Sequence, residues 1–456
     1  MASRLLPPRA CAIACSAVAL GAAASAQASG FALLEQSGAG LGRAFAGSAA
    51  VAEDASTVFF NAAGLSRLER SEISVAAVGV DISSRFNNAA SQPALGQPLG
   101  GNGGQAGALS VLPSVYVAWR INPALVAGFG VNVPFGLKTD YDAGWIGRFQ
   151  ALRSELHTVN YDPELAWQVT PQLSVGVGVD YQHVNATLTS AVNDTAVIAQ
   201  VSPAAAAANL GAEGTTHVGG NDSAWGYNLG ALYSLSDATR LGLAYRSAIQ
   251  YSVQGTVQFS APALNGLAAN AIMAGAAAAG GPLSNGDVRL ALKVPQSATA
   301  SLAQKIGEYA TVYADAAWTG WSSLQELRVV RAGGPAAGST LALTPEKWKS
   351  TWRFAIGADC RMSEQWTLRS GVALDQSPVP DATRTPRLPD RSRTWLAVGT
   401  SWSPSPSSKL DLGYAHLFLS DASLNQDAGS AAAYGLLNGS QRSHIDIVGL
   451  QGTVRL

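Results

Sequence analysis

Five histidines, His157, His183, His217, His416 and His444, and three cysteines are the residues best suited to metal binding or nucleophilic chemistry in this chain. None of the histidines sits in a metal-ligand pair. No Gly-x-Ser-x-Gly elbow is present to expose a nucleophilic serine. The expectation is a protein that is not an enzyme, with no catalytic residue, bound metal or cofactor. What remains are charges on alternate positions: Arg240, Arg246, Arg353, Asp359, Arg361, Arg369, Lys409 and Asp411 run out of phase with apolar neighbours. An arginine facing an enclosed space can hold a carboxylate through two parallel hydrogen bonds. Arg246, Arg353 and Arg369 are therefore ligand-binding candidates on alternation alone. Inward arginines also fill and brace a lumen, and a neutral ligand would need none of them.

Strands must position these side chains. In residues 173–181, Leu173, Val175, Val177, Val179 and Tyr181 alternate with Ser174, Gly176, Gly178 and Asp180. Successive strand residues point to opposite faces, so each such stretch has one apolar and one polar face. Fourteen stretches of this kind are expected, near 71–82, 110–121, 124–138, 155–169, 172–190, 222–236, 238–259, 286–304, 309–330, 349–361, 364–375, 392–404, 408–420 and 443–456. Their connections alternate short and long. Asn122-Pro123, residues 170–172, residues 236–238 and residues 363–365 are short, whereas 191–221 and 260–285 are long. An even strand number with short turns at one end and long loops at the other is the signature of an outer-membrane β-barrel. Trp119, Trp167, Tyr233, Trp366 and Trp402 sit beside the short turns, as an interfacial girdle would. The fold class expected is all-β, a 14-stranded antiparallel transmembrane barrel.

Residues 1–28 read as a signal peptide, with Arg4 and Arg9 before an apolar run and a small-residue cleavage pattern at Ala26-Gln27-Ala28. Two of the three cysteines fall within it, so no cysteine-rich metal framework remains. A formal net charge of −1 gives no hint of nucleic acid. Residues 29–70 lack strand alternation and are expected to plug the lumen, leaving 71–456 as the barrel. Val448, Leu450, Val454 and Leu456, alternating with Thr453 and Arg455, resemble the signal read by the barrel-assembly machinery, although the chain ends in Leu rather than Phe. Two outer loops are rich in Ala: residues 194–212, and residues 261–283 with Leu264, Leu267, Ile272 and Met273. Either both form apolar helices that capture ligand, or both are filler.

Several motifs resemble the FadL-type long-chain fatty acid transporters. Ser29-Gly30-Phe31-Ala32-Leu33 and residues 37–47 are similar to that family's N-terminal hatch. The match continues to Asn61-Ala62-Ala63, where the family carries Asn-Pro-Ala. Val133-Pro134-Phe135-Gly136-Leu137, Trp318-Thr319-Gly320-Trp321, residues 375–380 and Leu388-Pro389-Asp390 follow in the family's order and spacing. The resemblance implies loop capture of a hydrophobic ligand, an inner pocket, movement of the hatch, and lateral exit beside a kinked third strand. Ser29, Gly30, Phe31, Asn61, Ala62 and Ala63 would gate. Gly128, Gly130, Pro134, Phe135 and Gly136 would open the wall. The implied setting is the outer membrane of a Gram-negative bacterium, as a monomer among lipid and lipopolysaccharide. Aromatic or alkane hydrocarbon uptake, a general porin and an outer-membrane lipid enzyme are the alternatives.

Overall fold

The alternation decides which face meets lipid. Trp225, Tyr227 and Leu229 are exposed, whereas Asn160, Asp162, Asp180 and Gln182 are fully buried. That inverts the pattern of a soluble protein and is what a wall between lipid and a polar lumen requires. The computed structural model describes residues 30–427 and 430–456. Ser29 and the expected leader lie outside the described residues.

The wall is one closed antiparallel sheet of fourteen strands. The first six are β1 Glu72–Asn88, β2 Leu109–Arg120, β3 Leu125–Asn132 with a continuation Gly136–Asp140, β4 Arg153–Gln168, β5 Leu173–Asn193 and β6 Glu213–Ser234. The next four are each interrupted once: β7 Thr239–Arg246 and Ile249–Ser260, β8 Gly286–Val294 and Ser297–Ile306, β9 Ala310–Thr319 and Glu326–Arg331, and β10 Thr340–Pro345 and Thr351–Arg361. The last are β11 Trp366–Asp375, β12 Arg393–Ser405, β13 Ser408–Leu419 with Ala422–Asp427, and β14 Leu436–Arg455. Closure comes from β14 on β1, in unbroken register from Glu72↔Arg455 to Asn88↔Gly439. The strand count matches the alternation. The interruptions of β7 to β10 were not expected from the sequence. They fall at neighbouring positions around the wall, and at β9 the chain turns inward through Trp321–Ser323, burying Trp321 completely.

Residues 30–71 occupy the lumen as short helical turns: α1 Gly38–Leu41, α2 Ser48–Val51, α3 Thr57–Phe60 and a 3-10 turn Ala62–Arg67. Glycines on the inner wall make room for them. A Cβ at Gly176 would stand 2.3 Å from the Ala63 nitrogen, and one at Gly230 2.0 Å from Asn61 Oδ1. Asn61 caps the 3-10 turn by accepting from Ala63 N (3.1 Å), and donates to Ala49 O (2.6 Å) and Ala231 O (3.1 Å) on β6. Gly128 and Gly130 serve the same purpose. Both are paired on each side, to β2 and to β4, and a Cβ would collide with Leu65 and Val58. Their expected place in a wall opening is thereby corrected: they admit the plug and leave the ladder intact.

The outer loops carry helices α4 Asp194–Ala199, α5 Pro203–Ala207 and α6 Leu267–Ala277. Ile198, Ala206, Ala269 and Met273 bury against one another, with Leu264 and Ile272 packed partly against them. Leu267 is 91% exposed and stands outside this cluster.

Candidate functional site

Pro134 cannot donate to a ladder and biases the residue before it away from a regular continuation. The consequence is visible in the pairing. β2 and β3 share register only from Arg120↔Val126 to Val115↔Val131. Above that, residues 109–114 of β2 pair with β1 alone, and Gly136–Asp140 pairs with β4 alone. The seam closes again where Asp140 N donates to Ala106 O (3.0 Å). Between those limits is a slot in the wall.

At membrane depth an unpaired backbone group is costly, so something must satisfy the slot's edge. The N-terminal segment does. Gly136 N donates to Phe31 O (3.0 Å), and Leu33 N donates to Pro134 O (2.8 Å), so that Ala32 pairs antiparallel with Phe135. Gln36 completes the edge. Its amide nitrogen donates to Val133 O (2.7 Å), and its oxygen accepts from Ser114 Oγ (2.9 Å) and Val133 N (3.3 Å). Gln36 was not singled out from the sequence, where a lone Gln in a plug carries no signal. Phe31 seats among aromatic rings, with centroids 4.8 Å from Trp321, 5.7 Å from Trp348 and 5.8 Å from Phe135. Gly30 N donates to Asp390 Oδ2 (3.0 Å), where Ser377 also donates.

Three cavities surround this segment. The outermost, about 390 Å³, is lined by Leu188, Leu290, Leu327, Leu341 and other aliphatic side chains from the upper wall and loops, with Phe31 and Trp348 at its floor. The second, about 430 Å³, shares Phe31, Leu137, Leu156 and Leu388 with the first. It also touches both the lumen-facing Leu112 and the lipid-facing Leu109 and Val111, which are 65% and 62% exposed. It therefore runs through the wall at the slot. The third, about 150 Å³, lies on the other side of the segment, bordered by Ala32, Leu33, Asn61, Ala62, Pro134, Phe135, Arg246 and Arg353. A separate cavity of about 310 Å³ includes Met273 among the loops.

The three arginines chosen on alternation end up differently. Arg246 pairs with Asp162 (3.1 Å) and Asp180 and donates to Phe59 O (3.2 Å). Arg353 donates to Ala44 O (2.6 Å), over the Trp395 ring. Arg369 joins an ion network with Glu53 and Asp411, both at 2.8 Å, and borders none of the cavities described above. Arg361, expected inside, stands exposed at its strand's end.

A family model described as outer membrane protein transport protein (OMPP1/FadL/TodX) matches residues 19–456. The chain belongs to this family. It is 28% identical over 402 residues to the long-chain fatty acid transport protein of Salmonella typhi, covering 87% of this chain and 89% of the relative. A FadL homologue from Pseudomonas aeruginosa superposes with a TM-score of 0.84 at 26% identity, covering 94% of this chain and all of that one. The Pseudomonas putida toluene transporter TodX shares the fold, with a TM-score of 0.68 at 17% identity over 93% and 99% of the two chains. This FadL-family chain is an outer-membrane protein of the Gram-negative type.

Glu346, in the interruption of β10 on the loop side of the wall, borders the outer cavity. It is buried, and burial pushes its carboxyl up to about 7, opposed by a hydrogen bond from Trp348 Nε1 (2.8 Å) and the charge of Arg387. A raised carboxylate pKa means the folded state prefers the proton. That contribution is whole below about 4.5 and is lost as pH rises through about 7. The protection of residues 346–350 from hydrogen exchange, taken relative to the intrinsic rate at each pH, should therefore fall between pH 6 and 8, and Glu346→Gln should flatten that profile. An unchanged pH profile in the variant would count against Glu346 as the source.

Proposed function

We propose that this chain takes up hydrophobic compounds passively across the outer membrane, long-chain fatty acids foremost, without a catalytic step. The observation that carries the reading is the cavity passing through the wall beside Pro134, stoppered by Phe31, Ala32, Leu33 and Gln36. An apolar chain gains roughly 25 cal/mol for each Å² it buries. Moving from the outer cavity to the slot and then sideways into lipid keeps it buried throughout. A water-filled pore offers no such path. Gly30, Phe31, Pro134, Phe135 and Gly136 would form the gate and slot, with Asn61, Ala62 and Ala63 anchoring the plug beneath. Leu264, Ile272 and Met273 would shape the capture surface. The fatty acid transport named for the Salmonella relative supports the ligand class.

Uptake of neutral hydrocarbons is the second reading, favoured by the aliphatic lining and by the pairing of Arg246 with two aspartates. Expression in a host lacking its own transporter decides between them. Oleate uptake well above the host background is expected, together with bound fatty acid identified by mass spectrometry after mild detergent extraction. Toluene uptake without oleate uptake would favour the hydrocarbon reading. An open conductance in planar bilayers with no uptake of either would overturn both and indicate a porin.

A further inference from the structure

We infer that Arg387 is the residue that recognises an acid head group in the outer cavity, selecting carboxylate-bearing chains over neutral ones of equal length. This deepens the uptake reading and rests on it. Arg387 lies in the loop between β11 and β12 and borders the 390 Å³ cavity. Its Nη1 donates to three neutral acceptors, Ser154 Oγ (3.0 Å), Arg153 O (3.3 Å) and Thr189 O (3.3 Å). Its Nε and Nη2 make no hydrogen bond among the described residues, and no carboxylate lies within ion-pair distance. Of the arginines that border the other cavities, Arg246 is held by Asp162 and Asp180 and Arg393 by Asp375, while Arg353 lines the 150 Å³ cavity on the far side of the N-terminal segment, away from the outer one. Lys138, which lines the neighbouring cavity together with Arg393, faces Glu155 across the β3–β4 ladder.

Three of the five guanidinium N–H groups, those of Nε and Nη2, are thus left to the cavity side and can meet a ligand. A carboxylate meets them in the plane of the fork, and three fixed acceptors on Nη1 hold the fork in place beforehand. Glu346 is the acidic group whose charge acts most on Arg387, and Trp348 already engages it. Burial lowers the Arg387 pKa to about 10, which leaves it charged at neutral pH.

The test uses the full mature chain in mild detergent, with oleate and oleyl alcohol as probes of equal length and opposite head-group charge. The wild type should bind oleate more tightly by about tenfold or more, the scale of a hydrogen bond to a charged group. Arg387→Met should lose that preference while keeping its affinity for oleyl alcohol, and Arg387→Lys should recover part of it. Retained oleate preference in Arg387→Met would overturn the assignment. So would an equal loss for both probes, which would mark Arg387 as a brace for the loop. If the wild type binds neither probe, the uptake reading itself fails. If it binds both equally, only the role given to Arg387 fails.

Discussion

A variant carrying Ala32→Cys and Phe135→Cys should take up oleate when reduced and fall to background when oxidised. The two residues form an antiparallel pair flanked by the Leu33 N to Pro134 O and Gly136 N to Phe31 O hydrogen bonds. That makes them a non-hydrogen-bonded pair, the kind whose Cα atoms approach most closely, at about 4.5 Å. The spacing falls inside the range a disulfide spans without moving the backbone. Cross-linking would therefore lock the slot in the geometry already present. Closing so long a loop should also raise stability by ~4 kcal/mol against the reduced form of the same variant. Oleate uptake in cells before and after a reductant is the measurement. Because both arms use one protein, loss of the Phe135 ring cancels in the comparison. Undiminished uptake in the oxidised form would show that ligand does not pass the slot, and a route through the lumen past the plug would have to replace it.

The barrel was legible because its cause is local and repetitive. Each strand states its two faces every second residue, and lipid enforces that statement fourteen times. The slot was half legible. Pro134 announces a break in β3, but only the structure shows that β2 also lacks a partner there, and that residues 31–36 fill the vacancy. Gly128 and Gly130 misled for a physical reason. A glycine in a strand marks either a broken ladder or a close approach by another backbone. Here Val58 and Leu65 make the approach. Arg387 left no trace in the pattern, because it stands in a loop where alternation has no meaning. Arg246 and Arg369 did follow the pattern, and it placed them inside, but alternation cannot say whether an inward arginine meets a ligand or an aspartate 66 or 42 residues away in sequence.

That last distinction sets the largest stability effect expected from a single substitution. Below the cavities, Arg369 holds Glu53 of the plug and Asp411 of β13, both at 2.8 Å, and donates to Ser401. Arg43 pairs with Glu53 (2.6 Å) and Asp359 (2.9 Å), and Lys409 with Asp54 (2.9 Å). Three cations thus face Glu53, Asp54, Asp359 and Asp411, with wall and plug each contributing both signs. Such a cluster adds little over an apolar one of equal shape, but removing one member strands the others without solvent. Arg369→Ala should cost ~3–5 kcal/mol. The loss should be felt between plug and wall, because the β11 ladder does not depend on the side chain. Two readings of the same variant test this: the temperature at which the barrel unfolds should drop, and planar bilayers should show a conductance absent from the wild type. Adding Glu53→Gln should recover part of the loss, since one uncompensated carboxylate goes with it. Weakened oleate binding with an unchanged, closed conductance would instead return Arg369 to the ligand-binding role that alternation first suggested.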